Sequence, residues 1–508
     1  MSRAEATAAQ HGIWFTEQAG VAAGAYQMAV TVRFDPAPDE AALRLACAAV
    51  VARHPALRSA IDTVAGVPVL VPAAGAVPVL VEDGVGPDPA DERVEERIRA
   101  EIARPFDLAR GPLARFALLR AAAGGRVLLF TAHHVIFDGM SKDLLVHDLA
   151  TAYNAAVAGQ PAQLGPPSDA PSGPSSQAES ADLAGAQAYW ARHWPAAQEI
   201  TLPGLEPVPT GAGPGATVDF QLDADLVAAV TKAADAIGVS HFELLLAAVS
   251  VLLERYGNPA PTVTIGLSTR TPATAGDLGL HVNELPAPLP AVTGTFGRYA
   301  KQVRMSLREL YRFRSVPLSH AVTGLRPATA PTPVSVGYRR RVAAPRFAGV
   351  ATVVDWNQHG GVARNALHLQ IVDAPSGITV GLRHRPECIG TDAVVRIGAH
   401  LRTLLAAAVR DPDADVDQLP VLPDQELDLL LRAWNATDTD HAGVAASGGT
   451  VPALFAAAVR RAPGAVAVVR PADSVSQVDL ASAAASARRR SFFPTLSFDR
   501  LPIDVLAG

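Results

Sequence analysis

Cysteine is nearly absent: 508 residues contain two, Cys47 and Cys388, far apart and without metal-ligand spacing. Neither a disulfide framework nor a cysteine-rich zinc site can be built from them, and a reducing cytoplasm is the expected compartment. Charge is sparse at 18% of residues, and no basic excess exists, with Lys+Arg 43 against Asp+Glu 49. A net charge of -6 leaves nothing to neutralise a phosphate backbone, so nucleic acid is excluded as a partner class. Long apolar runs are missing too. The longest, Leu244 to Leu253, is about half of the roughly twenty residues that a membrane span needs. Glu5 and His11 interrupt any signal-peptide core. These absences predict a soluble, cytoplasmic protein with no membrane partner, and a monomer is expected.

What is present is apolar sequence, 49% of the chain, enough to build more than one core. Composition breaks it into pieces. Residues 1–158 are patterned throughout, and 159–180 (GQPAQLGPPSDAPSGPSSQAES) have the Pro, Gly and Ser content of a linker. Patterning resumes over 181–423. A second break over 424–450 includes HAGVAASGGT, and 451–508 form a last segment.

Local periodicity supplies the elements. Asp39 can cap a helix with Leu43, Cys47 and Val50 on its apolar face, and Leu226, Val230, Ala233 and Ile237 mark another. Phe242, Leu245, Leu246, Val249, Leu253 and Tyr256 describe a buried helix, and Lys301–Tyr311 and Thr391–Leu405 pass the same test. Arg126–Ala132 and Thr262–Leu267 read as buried strands. Ser141 is placed as the N-cap of a helix carrying Leu145, Leu149 and Tyr153. Strands alternate with helices, so the class is α/β or α+β.

The chemistry concentrates in His133-His134-Val135-Ile136-Phe137-Asp138-Gly139, between a strand and a helix. A histidine at a strand end offers an imidazole near neutrality as general base. Gly139 admits close approach of the backbone, and its N–H can face a developing oxyanion. A buried Asp138 requires a positive partner. Adjacent strand residues point to opposite faces, so His133 and His134 do not easily share a metal ion, and only one of them faces the chemistry. These parts suit nucleophilic attack on an activated acyl carbonyl.

With further motifs, the chain resembles the condensation domains of nonribosomal peptide synthetases, within the chloramphenicol-acetyltransferase-like acyltransferases. Ala9-Gln10-His11-Gly12-Ile13-Trp14 is similar to the opening motif SxAQxRLW in its GIW variant, and Arg53-His54-Pro55-Ala56-Leu57-Arg58 to RHxxLRT, with Ser59 for Thr. His133–Ser141 carries HHxxxDG, Ile265-Gly266 opens the IGxPVAGR region, and His281-Val282-Asn283-Glu284-Leu285-Pro286 resembles FVNTLP. The resemblance covers residues 8 to about 423. It implies two acyltransferase-like lobes in a V with a tunnel between them. His134 is then the catalytic histidine, His133 and Asp138 are structural, and Gly139 lies near the oxyanion. The arginine of the Ile265 region comes two positions early, at Arg270, which becomes the candidate partner of Asp138. Ser141 and Asn283 are further candidates, and Gln10, Trp14 and Asn283 hold tunnel walls.

By the same resemblance the chain binds no cofactor itself. Phosphopantetheine arms arrive on donor and acceptor carrier proteins, and an amide is formed. An ester-forming or acyl-CoA-dependent acyltransferase, a glycerolipid-type acyltransferase (His133 and Asp138 also satisfy HxxxxD) and a non-catalytic docking module are the alternatives. Thr450–Val469 resembles the start of an adenylation domain, without a Gly-rich phosphate loop. The closing SFFPTLSFDRLPIDVLAG resembles nothing.

Overall fold

The computed structural model describes residues 4–82, 91–121, 124–165, 176–194, 200–209, 211–323, 330–358, 360–437, 451–469 and 474–476. Much of the 159–180 linker, the HAGVAASGGT break and the closing tail lie outside the described residues. The chain forms a large unit, Met1–Pro423, and a small one, Asp424–Gly508.

In chain order, the helices of the large unit used below are α1 Ala8–Gln18, α2 Glu40–Arg53, α3 Asp91–Ala103, α4 Gly139–Val157, α5 Ser176–His193, α6 Ala224–Ile237, α7 His241–Arg255, α8 Phe296–Tyr311 and α9 Thr391–Arg410. The strands of its two main sheets are β1 Gln27–Asp35, β2 Val79–Glu82, β3 Ala114–Arg120, β4 Arg126–His133, β5 Ala216–Gln221, β6 Thr262–Ser268, β7 Val282–Pro288, β8 Val334–Arg340, β9 Ala351–Asp355, β10 Leu367–Ala374 and β11 Gly377–His384.

The first sheet runs in the order β9-β1-β4-β3-β2. Its alternation serves two layers, because successive side chains point to opposite faces. Val30, Val32, Phe34, Leu128 and Phe130 pack with α2 and α4 residues, while Ala29, Val127 and Leu129 meet Val94, Ile98 and Ile102 of α3. β9 comes from the second half of the chain, yet pairs antiparallel with β1, Val354 opposite Val32. The two halves thus build this sheet jointly.

The second sheet runs β7-β6-β8-β10-β11-β5. One face is fully apolar: Ile265, Leu285, Val336, Leu369 and Leu382 are buried with α6 to α9. The other face carries Glu284 opposite Gly266, and Ser335, His368 and Arg383 in one row across three strands, with Gly337 and Arg339 further along β8. On that polar face the Arg339 guanidinium of β8 lies against Gly139 at the start of α4.

The core helix is α7. Ser240 caps it, its Oγ accepting from Glu243 N while Glu243 Oε2 accepts from Ser240 N at 2.7 Å. Leu244, Leu246, Ala247, Ala248 and Val251 are wholly buried. Among the described residues no single helix is long and apolar enough to cross a membrane. Only α6 with α7, bent by 101° at their junction, passes such a test as a pair. Both carry core residues of the second lobe. α5 starts at Ser176, inside the stretch read as linker.

Candidate active site

β4 ends at His133, and His134 opens a short 3-10 turn, its N–H donating to Tyr26 O at 2.7 Å. The strand's alternation puts His133 on the face of Val127 and Leu129. There the Val135 N–H donates to its Nδ1 at 3.2 Å, so its proton sits on Nε2 and reaches Glu17 Oε1 of α1 at 3.1 Å. Both ring nitrogens of His133 are used. His134 has the opposite tautomer: Nδ1 lies 2.7 Å from Phe137 O, and a carbonyl only accepts, so Nδ1 carries the proton. Nε2 is left with a bare lone pair, which no group among the described residues hydrogen-bonds. Burial and the Arg364 guanidinium push the His134 imidazole below the usual histidine range, against the pull of Glu284, Phe137 O and Asp138. Both causes favour the neutral imidazole.

Asp138, buried, is the N-cap of α4: its Oδ1 accepts from Ser141 N and from Ser141 Oγ, both at 2.8 Å. The cap expected at Ser141 is therefore displaced by three residues. An aspartate before Gly139 accepts from the third helical N–H better than a serine one turn inside the helix can. Oδ2 accepts from His281 N at 3.0 Å, across the lobes. Arg270 Nη2 lies 2.9 and 3.1 Å from the two carboxylate oxygens, while its Nη1 donates to Thr274 O and Asp277 O. Burial opposes the charge on Asp138, but Arg270 and the Ser141 bonds outweigh it, and the carboxyl is held below its ordinary range. Ser141 Oγ also accepts from Gly279 N at 3.1 Å, closing the network.

His134 borders a cleft of about 420 Å³. Its walls are Gly12, Ile13 and Phe15 of α1, Tyr26, Leu280, Val282 and Leu318, with Glu284 and Arg364 as charged groups. Arg364 Nη2 donates to Glu284 Oε1 and its guanidinium lies 5.4 Å over the Tyr26 ring. Despite burial, Arg364 holds the Glu284 carboxyl ionised, below the ordinary value. Asn283 borders the cleft, and its Nδ2 ties the chain at Arg314 O and Val316 O, each at 2.9 Å. Gln10 Nε2 donates to Val135 O at 3.0 Å, fixing α1 to the turn that carries His134. Among the described residues no three His, Cys, Asp or Glu side chains converge to hold a metal.

Gly139 has a steric reason. A Cβ there would fall 1.6 Å from Arg339 Nη2, because the guanidinium from β8 lies across the first turn of α4. Arg341 follows it, pairs with Asp143 and lies 4.0 Å over the Trp356 ring. Lys142, buried beside them, donates to Trp356 O at 2.6 Å. Burial, with Arg341, Arg339 and Arg383 close by, pushes its ammonium down to about 7.

The family described as Condensation domain matches residues 2–431. The chain belongs to that family. Chondramide synthase of Chondromyces crocatus is 27% identical to it over 490 residues, 92% of this chain and 12% of that protein. Tyrocidine synthase 2 of Brevibacillus parabrevis is 26% identical over 469 residues, 87% of this chain and 12% of the relative. This condensation domain thus spans 12% of the length of each of these two curated relatives. Its mixed α/β, chloramphenicol-acetyltransferase-like fold is similar to the first condensation domain of the calcium-dependent antibiotic synthetase, with a TM-score of 0.68 and 21% identity over 83% of this chain and 99% of that one. Condensation domains are the acyltransferase units that form amide bonds in nonribosomal peptide synthesis.

Three charged groups of this condensation domain's interior escape sequence reasoning: Glu284, Arg364 and Arg339. Glu284 was visible only as the departure from FVNTLP, where the pattern has threonine. Arg364 pairs with it across 80 residues, and no periodicity signals such a pairing. Arg339 stands at the end of an apolar strand, where alternation alone does not distinguish a guanidinium packed on Gly139 from one in solvent.

Proposed function

We propose that this condensation domain joins a carrier-bound acyl or aminoacyl thioester to an amine acceptor, with His134 as the base. The observation that carries the reading is the unpartnered Nε2 of a neutral His134, fixed by Phe137 O and set at the charged corner of an apolar cleft. The acceptor nitrogen, as free amine, attacks the thioester carbonyl. As the C–N bond forms, His134 Nε2 takes one N–H proton. The C–S bond then breaks, and the imidazolium returns that proton to the leaving sulfur, giving an amide and a free thiol. A histidine kept neutral by burial and Arg364 begins this cycle in the right protonation state.

Asp138, with Arg270 and Ser141, acts by holding the turn between His134 and α4, and His133 by anchoring that turn to α1. The phosphopantetheine arms belong to the substrates, and donor and acceptor carrier proteins are the partners of a monomeric domain. The last segment is read as the opening of an adenylation-like unit. A helix, Val451–Arg461, followed by a ribbon of Val466–Val469 with Ser474–Ser476, supports that reading.

The test is turnover with loaded donor and acceptor carriers. His134→Ala, confirmed folded by circular dichroism, is expected to lose about 10²–10⁴-fold in rate. Near wild-type turnover in that variant, or a loss confined to His133→Ala, overturns the assignment.

A further inference from the structure

Glu284 uses one carboxylate oxygen, Oε1, to accept from Arg364. Oε2 accepts no hydrogen bond among the described residues, and it is not sealed off, since the side chain keeps 32% of its exposure. His134 Nε2 is the second unfilled acceptor on the same cleft. Around them the walls are apolar: Ile13, Leu280, Val282 and Leu318. An ion pair in such surroundings is weak evidence for a stabilising role, because well-packed apolar residues do as well. Two lone-pair acceptors with no protein donor on one cleft, close enough for the Glu284 charge to act on His134, call for a ligand that brings at least two N–H or O–H donors.

We infer that Glu284, buttressed by Arg364, is the residue that makes this site select an amino over a hydroxyl acceptor. The inference rests on His134 being the base. A primary amine supplies one hydrogen to His134 Nε2 and another to Glu284 Oε2, and an ammonium is drawn to the carboxylate before it gives up its extra proton to solvent. A hydroxyl has one hydrogen. Serving His134, as attack requires, leaves the Glu284 oxygen stripped of water and unpaired. A site built to fill hydrogen bonds rejects the analogue that leaves them empty.

The groups facing His134 are Glu284 from β7, Arg364 beyond the short strand Val362–Ala363, Tyr26 ahead of β1, and Asp138 on its own loop, with the His133–Glu17 pair alongside. Glu284 favours the imidazolium and Arg364 opposes it. Removing the carboxylate therefore lowers the pH of the acid limb of kcat/KM, and removing the guanidinium raises it.

The experiment uses the full chain, a carrier-bound acyl donor, and paired 2-amino and 2-hydroxy acyl N-acetylcysteamine thioesters as acceptors. Glu284→Gln, whose oxygen stays with Arg364 and turns the amide NH2 toward the cleft, is compared with wild type, and Glu284→Leu/Arg364→Met removes both charges and the acceptor, so that no lone buried arginine remains. In both variants the amine-over-hydroxyl ratio of kcat/KM is expected to fall by about 10- to 100-fold, the worth of one hydrogen bond to a charged group. The KM for donor stays within about twofold. The acid limb moves to lower pH in Glu284→Gln and to higher pH in the single variant Arg364→Met. Equal losses with both acceptors, no change in the ratio, or limbs that do not move apart would overturn the inference while leaving His134 as base. Wild-type chain that makes no amide, or whose amide formation survives His134→Ala, would instead reject the reading of function beneath it.

Discussion

Replacing Asp138 by alanine removes three things together: the cap of α4, the partner of Arg270 and the acceptor for His281 N. Both side chains of the ion pair are almost fully buried, at 4% exposure for Asp138 and 6% for Arg270. Leaving either charge alone in that interior is expected to cost about 3–5 kcal/mol, read by urea unfolding. Arg270→Ala should match it, and the double variant should be far less destabilised than the sum. Strict additivity would show that the two do not depend on each other. The pH sign follows from the depressed carboxyl. Its contribution is complete above the ordinary carboxylate value of about 3.9 and is lost as pH falls through the lower folded value. Asp138→Asn should therefore flatten the wild-type stability loss below about pH 4. A variant with unchanged unfolding but no turnover would make Asp138 a direct participant in the chemistry.

At the scale of elements, the first turn of α4 and the end of β8 compete for one volume. Gly139→Ala must displace the Arg339 guanidinium, and overpacking of this kind typically costs about 1–3 kcal/mol. Gly139→Ala/Arg339→Ala should recover most of it in thermal melts. If the double variant melts no higher than Gly139→Ala, the glycine is needed for something other than room. In the middle of α7, Leu246→Ala opens a cavity in a wholly buried site and is expected to cost about 2–5 kcal/mol by the same measurement. Such helices were legible from period alone: Leu226, Val230 and Ile237, and Leu245, Leu246 and Val249, lie where amphipathic spacing puts them. The strands Arg126–His133 and Thr262–Ser268 were legible as short apolar runs. Local sequence misplaced the cap of α4, because Gly139 reads as a break although Asp138 before it caps the helix. It also showed nothing of which charged residues join His134 at the cleft, since Glu284 and Arg364 reach it only through the pairing of distant segments. Arg270 was reached through the resemblance, as the arginine of the Ile265 region standing two positions early, and a buried carboxylate demands such a cation.

Across the whole large unit, Lys142 joins α4 of the first lobe to Trp356 O, just past β9. Its ammonium, at about 7 in the fold against 10.5 when unperturbed, binds fewer protons than the unfolded chain between those values. Stability should therefore rise with pH from about 7 to 10, by about 2–4 kcal/mol, and Lys142→Met should flatten that rise. An unchanged slope in the variant would place the titration elsewhere. Removing residues beyond about Ala445 is expected to leave turnover on loaded carriers unaltered, because among the described residues every side chain on the cleft precedes Pro423. A folded but inactive truncation would reveal a role of the tail in catalysis. β9 carries a different consequence, for how such domains can be cut and recombined. Its pairing with β1 means that an N-terminal half grafted onto a foreign C-terminal half receives a borrowed edge strand from the wrong parent. Chimaeras joined between the lobes should misfold or pair out of register, whereas breakpoints outside residues 1–423 should be tolerated. Two separately expressed halves, divided near Ser175, should regain structure only when mixed.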